Sequence, residues 1–320
     1  MQYVRIAALG CVLWAAGASR AETVFVSLEK DNALAVVNAE GKLVNTVPVG
    51  RRPRGVALSP DAKFLYVAVS DENTIKILDS ESLREVGTLP SGPDPETFAL
   101  SPDGKRLYVS NEDDSEVTVL DVAAKKAVQS IKVGVEPEGV AASPDGRWLV
   151  SASETTNMLH FIDAASGQIV ENVLVDPRPR AVAFTADSRQ LWATSEMAGT
   201  VTVLDAETRQ ILHSVKLTVP GLTSDMVQPV GVLVDAQRRY AYVALGPANR
   251  VAVIDAQNYK VEQYWLVGQR VWNLAFSPDQ SRLYTTNGVS NDISIIDLKD
   301  HKVLKSVAVG RLPWGVAVKP

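Results

Sequence analysis

GVALSPDAKFLYVAVSDENTIKILDSESLREVGTLPSG, residues 55–92, is the stretch whose reading decides the fold. Gly55–Leu58 is a short apolar run, and Ser59-Pro60-Asp61 ends it. Proline lacks an N–H and a short acid bonds its own backbone, so the triplet reads as a turn. Phe64–Val69, aromatic and β-branched, reads as a strand. Ser70–Asn73 breaks it, Thr74–Leu78 alternates as a third strand ending at Asp79, and Glu85–Leu89 forms a fourth, closed by Gly92. Ser-Pro-Asp returns at Ser101, Ser143 and Ser277, with degenerate copies at Thr185, Asp235 and Lys319. Every interval is 42 residues except the longer one between Thr185 and Asp235. Four short strands at that period describe one blade of a β-propeller.

Aligned repeats show the scaffold as columns. The second turn carries Asn32, Asn73, Ser115, Asn157, Gly199, Asn249 and Asn291, mostly types that tolerate positive φ. The third strand ends in Asn38, Asp79, Asp121, Asp163, Asp205, Asp255 and Asp297, read as turn caps rather than metal ligands. Phe25, Tyr66, Tyr108, Val150, Trp192, Tyr242 and Tyr284 read as packing between blades. The chain begins at a second strand, Val24–Ser27, and ends at a first strand, Trp314–Val318. Pairing these two segments leaves no open edge between the first and last blades. The expectation is an all-β, seven-bladed propeller in one domain, residues 22–320. Its repeats run 51–92, 93–134, 135–176, 177–226, 227–268 and 269–310, with a composite blade from 22–50 plus 311–320. The extra residues near Thr218–Met226 are expected to form a long loop between an outer strand and the next inner strand.

Residues 1–21 lie before the ring. Arg5, an apolar run from Ile6 to Ala18 and Ser19-Arg20-Ala21 describe a secretory signal peptide, with cleavage after Ala21 and a periplasmic address. The run is too short and wrongly flanked to span a membrane. Ala8-Leu9-Gly10-Cys11 permits a lipoprotein alternative, against which the apolar core continues past the cysteine. Cys11 is the chain's one cysteine, so the mature protein has no disulfide or thiol chemistry. Losing Arg5 and Arg20 makes the mature chain two units more negative than the formal −5, which excludes general affinity for nucleic acid.

Positions that differ between repeats are where function can sit. The residue between Pro and Gly before each first strand reads Arg54, Glu96, Glu138, Arg180, Val230, Trp272 and Trp314. Two residues earlier stand Arg52, Asp94, Glu136, Arg178, Gln228, Arg270 and Leu312. These side chains are expected to crowd the channel mouth. Arg54 with Glu96 and Glu138 with Arg180 are read as exposed pairs across neighbouring blades, and Trp272 and Trp314 as exposed indoles. The candidate ligand- or partner-binding set is Arg52, Arg54, Glu96, Glu138, Arg180, Arg270, Trp272 and Trp314. Guanidiniums suit an anion or partner carboxylates, and indoles suit an apolar body. The acidic loops at Glu29–Asp31, Asp71-Glu72, Glu112–Asp114, Glu154 and Glu196 are expected to be solvated. A docking surface for a basic partner, or a weak calcium site at Glu112–Asp114, is the sharper alternative. His160, His213 and His301 fall outside the mouth columns, and no catalytic or phosphate-loop motif is present, so no catalytic residue is assigned.

PRGVALSPD, PETFALSPDGKRLYVSNEDD and PWGVAV resemble the YVTN propeller repeat of exported bacterial proteins. SETTNMLHFID (153–163), ALGPANRVAVID (244–255) and VGRLPWGVAV (309–318) resemble more narrowly the β-propeller family associated with PQQ-dependent catabolism. The resemblance spans roughly residues 23–320. It implies seven repeats, a periplasmic location, and a non-catalytic accessory or binding role in quinone-linked alcohol oxidation and transport. The implied partner is a periplasmic quinoprotein dehydrogenase or a transport component. It also places Asn157, His160 and Asn249 in the family pattern. The alternatives are a lactonase-like enzyme using Glu96 or Glu138, and a carrier of PQQ or haem d1 stacked on Trp272 and Trp314 with Arg270 on its carboxylates.

Overall fold

The computed structural model describes residues 22–320; the signal-peptide reading of residues 1–21 lies outside them. Seven four-stranded antiparallel sheets form the ring. Pro313–Lys319 pairs with Thr23–Leu28, which continues into Ala33–Asn38 and Leu43–Pro48. The two ends of the described chain therefore share one blade, numbered 1 here, with Lys319 opposite Thr23 and Val316 opposite Val26. Blades 2 to 7 follow the repeats in order. First strands of successive blades touch one another around the channel, as in blades 1 and 2, where Pro313–Lys319 lies against Pro53–Leu58.

The core is divided. Seven clusters of buried apolar side chains are present, each drawn from two neighbouring blades. Phe25, Tyr66, Tyr108, Trp192, Tyr242 and Tyr284 are all buried in the second strands, as expected of packing residues. Each cluster depends on the blade beyond it, so closing the ring completes the last one, between blades 7 and 1.

The repeated turns perform the roles their residue types suggest. Ser59 Oγ donates to Asp61 Oδ1 at 2.7 Å and accepts from Phe64 N at 3.0 Å, and Ser101, Ser143, Thr185 and Ser277 repeat the pattern. In blade 6 Asp235 replaces the serine and receives Arg239 N and Tyr240 N directly. The acids ending the third strands accept backbone N–H groups three residues on, as Asp79 does from Ser82. All seven residues of the second-turn column have positive φ.

Strand direction sorts the loops onto two faces. Turns after the first and third strands lie on one face; turns after the second and fourth lie on the other, where each chain segment enters a new inner strand. The long connection between blades 5 and 6 is on this second face and contains a short 3-10 turn, Ser224–Met226.

Candidate functional site

The mouth is built where two loops of one face meet. Six of the seven residues two before the mouth position, Arg52, Asp94, Glu136, Arg178, Arg270 and Leu312, adopt positive φ, and Gln228 does not. Five of these strained residues are tethered through their N–H by the asparagine column. Asn32 Oδ1 accepts from Arg52 N at 3.1 Å, Asn73 from Asp94 N at 3.2 Å and Asn157 from Arg178 N at 2.9 Å. Asn249 holds Arg270 N at 2.8 Å and Asn291 holds Leu312 N at 3.0 Å. Each asparagine thus serves its own turn and anchors the loop that presents the next blade's mouth residue. This gives Asn157 and Asn249 a concrete role. His160 is buried and does similar work. Gly134 N donates to its Nε2 at 2.9 Å, so the proton sits on Nδ1, 2.6 Å from Asn172 Oδ1. Burial holds its pKa below the usual histidine value.

The inner strands approach closely here. A Cβ on Gly139 would lie 2.2 Å from Arg180 O, and one on Gly315 would lie 2.4 Å from Arg54 O. The glycine of Pro-x-Gly is therefore required by the neighbouring blade. Hydroxyls clasp the same seam: Ser27 Oγ donates to Arg54 O at 2.6 Å, Thr194 Oγ1 to Val230 O at 2.6 Å and Thr286 Oγ1 to Trp314 O at 2.7 Å.

The structure brings the predicted mouth residues together, and it corrects how they are presented. The pairs expected to be exposed are buried. Glu96 is 0% exposed and lies between Arg54 Nε at 2.6 Å and Arg52 Nη2 at 2.9 Å. Arg54 also reaches Glu29 Oε2 at 2.9 Å, and Arg52 reaches Asp94. On the next two blades Arg180 binds Glu138 at 2.7 Å and Glu154 at 2.7 Å, with Glu196 at 3.4 Å. Arg178 closes this second cluster on Glu154 at 2.9 Å and Glu196 at 3.0 Å. Trp314, expected to be exposed, is 4% exposed with the Arg54 guanidinium 4.5 Å from its ring centre. Arg270 lies over Trp272 at the same distance, and Val230 is buried.

A second correction concerns the acidic loops. Glu154 and Glu196, expected to be solvated, are buried members of the network, and Glu29 contributes to it. Those carboxylates were the functional residues left out of the candidate set. The available signal was their shared column after the second strand, which opens on the same face as the first-strand loops. Asp113 and Asp114 are exposed. The carboxylates that converge within 4.8 Å are instead Asp94, Glu96 and Glu112, and Arg52 already bonds two of them.

Seven carboxylates face four guanidiniums in this network, and burial raises the proton affinity of Glu96, Glu112 and Glu154 among them. Burial pushes Glu96 up to about 8, against the pull of Arg54. Burial, with the neighbouring Glu138 charge, pushes Glu154 up to about 9. Burial acts the same way on Glu138, but Arg180 and Arg54 outweigh it and hold that carboxyl below its ordinary value. The two neighbouring carboxyls are thus driven in opposite directions, Glu154 toward keeping a proton and Glu138 toward losing it. The native state therefore keeps protons that the unfolded chain releases above its ordinary carboxyl range. Stability is expected to fall as pH rises from about 5 toward 9. Thermal melts of wild type and Glu154→Gln across that range check this, the variant showing the shallower decline.

Neither Glu96 nor Glu138 is left unpaired, and Trp314 offers no open face for a stacked ring. None of the three histidines stands at the mouth: His213 stacks on Tyr259 at 3.9 Å and His301 lies on the opposite face. A family model for the choice-of-anchor I domain matches residues 113–281, just over half the chain. The chain belongs to the choice-of-anchor I domain family. No curated protein matches it. Among solved structures it is similar to Kuenenia stuttgartiensis hydrazine synthase, with a TM-score of 0.79 at 23% identity, covering 86% of this chain and 92% of that one. It is also similar to a putative 6-phosphogluconolactonase from Bacteroides uniformis, with a TM-score of 0.78 at 15% identity, covering 93% and 99%. A third similarity is to the dihydro-haem d1 dehydrogenase NirN, with a TM-score of 0.66 at 19% identity, covering 89% of this chain and 63% of that one. At these identities the likeness establishes the propeller fold, which hosts diverse activities. Among the described residues no helix is long and apolar enough to cross a membrane.

Proposed function

We propose that this propeller is a non-catalytic, periplasmic binding protein that docks a protein partner on the mouth face. The observation that carries the reading is a set of exposed apolar side chains on the same face as the buried ion-pair network. Met197, in the second-turn loop of blade 5, is 74% exposed. Val289 occupies the corresponding loop of blade 7, and Val135 enters blade 4. Leu174 and Leu266 end outer strands on the same face, and Met226 lies in the long connection. Exposed methionines and aliphatic side chains on one face, together with arginines, are residue types that protein contacts use.

The network supports this role by rigidity. Arg54 and Arg180 are buried on internal carboxylates and shape the mouth, while Arg52 and Arg178, bonded to the network but more exposed, and Arg270 outside it meet the partner. The resemblance to the PQQ-associated propellers supplies the class of partner: a quinoprotein dehydrogenase or a transport component of alcohol oxidation. A planar cofactor such as PQQ or haem d1 would have to displace Arg54 from Trp314, which favours the protein-docking reading. Affinity capture from periplasm tests it. Met197→Asp combined with Leu266→Asp should lose the specifically recovered partner while melting like wild type; equal recovery would remove the mouth face from the account.

A further inference from the structure

A cavity of about 530 Å³ opens on the face opposite the mouth, between blades 6 and 7. The same groove one blade earlier is filled. There Tyr259, four residues after the turn acid Asp255, stacks on His213 at 3.9 Å and receives a hydrogen bond from Gln190 Nε2 at 3.0 Å. Between blades 6 and 7 the equivalent residue, four after Asp297, is His301; both positions have positive φ. The smaller imidazole folds inward, 6.0 Å from the Trp265 ring and edge-on to Tyr240 at 5.8 Å. The space a tyrosine fills next door is left open, walled by Tyr240, Tyr242 and His301.

The polar chemistry of the cavity follows from its hydrogen bonds. The Trp265 indole N–H can only donate, and it donates to Gln263 Oε1 at 2.9 Å. Gln263 Nε2 therefore faces His301 Nδ1, at 3.2 Å, and donates to it. That leaves the proton of the neutral ring on Nε2, a donor with no partner among the described residues. Burial raises the Tyr242 pKa, which keeps its phenol a neutral donor. Arg239 and Lys299 also line the cavity. The two acids there are engaged: Asp235 accepts Arg239 N and Tyr240 N and pairs through Oδ2 with Arg239 Nε at 3.5 Å, which leaves the Arg239 Nη groups toward the cavity, and Asp279 Oδ1 accepts from Ser277 and Ser281. Aromatic walls, with the Lys299 ammonium, the Arg239 Nη groups and the His301 and Tyr242 donors turned to the cavity, suit a flat, anionic guest.

We propose that this interblade cavity is a binding site for small aromatic carboxylates, with the ring held against Tyr240, Tyr242 and His301 and the carboxylate met by Arg239 and Lys299. The site is independent of the mouth and of any partner there. Calorimetric titration of the mature protein with benzoate, with benzamide as a neutral control, tests it. Benzoate is expected to bind at one saturable site and more tightly than benzamide. Arg239→Ala, on an exposed side chain, should weaken benzoate about tenfold, the usual scale for one lost charge-assisted hydrogen bond. His301→Tyr, which copies the filled groove of the neighbouring blade, should abolish binding while the protein still melts at or above the wild-type temperature. No saturable binding of benzoate, or undiminished binding in both variants, would overturn the proposal.

Discussion

Arg180→Ala is expected to destabilise the propeller by about 3–5 kcal/mol at neutral pH, the scale for removing one partner of a buried ion pair. Three carboxylates, on Glu138, Glu154 and Glu196, converge on this one buried guanidinium. Without it Glu138 loses the charge that keeps it ionised, and it must take up a proton or remain buried and unpaired. The loss should therefore be smaller at pH 5 than at pH 8. Denaturant unfolding at both values measures it. A change under about 1 kcal/mol at both, the range of exposed pairs, would mean that the cluster is solvated in solution.

Deleting residues 313–320 is expected to abolish cooperative folding. The deletion strips the inner strand from blade 1 and exposes the edge of Thr23–Leu28. It removes Trp314, whose carbonyl receives Thr286 Oγ1 and Asn273 Nδ2, and with it the stacking partner of Arg54. It also takes Val316 and Val318 from the cluster between blades 7 and 1. Together these exceed the roughly 5–15 kcal/mol by which domains are stable. Moving residues 311–320 in front of Glu22 should restore a cooperative melt, because Lys319 already lies opposite Thr23. Near-UV circular dichroism of the two proteins makes the comparison. A truncated chain that melts like wild type would show that ring closure does not hold the fold.

The fold was legible because every blade repeats the same local chemistry. Ser59 and Asp61 build their turn from neighbours in sequence, and the period of 42 residues then sets the register. The composite blade could be read too, since a lone second strand at one end and a lone first strand at the other have one economical pairing. The mouth was legible as a location but not as an environment. Arg54 and Glu96 are in neighbouring repeats, so their pairing could be read; their burial could not. It depends on Glu29 and Trp314, which come from opposite ends of the chain and meet only when the ring closes. Glu154 and Glu196 looked solvated because a charged residue in a loop usually is. What buries them is the packing of two different loop sets on one face. The asparagine column showed half of its function, since positive φ follows from residue type, whereas the bond from Asn249 to Arg270 N crosses 21 residues.

Site-specific photocrosslinking tests the partner-docking reading most directly. A photoreactive residue at Met197, on the mouth face, is compared with one at Val170, exposed on an outer strand of blade 4. Irradiation in intact periplasm should give a discrete adduct from position 197 and none from position 170. Adducts from 170 alone, or none from 197, would contradict a partner at the mouth.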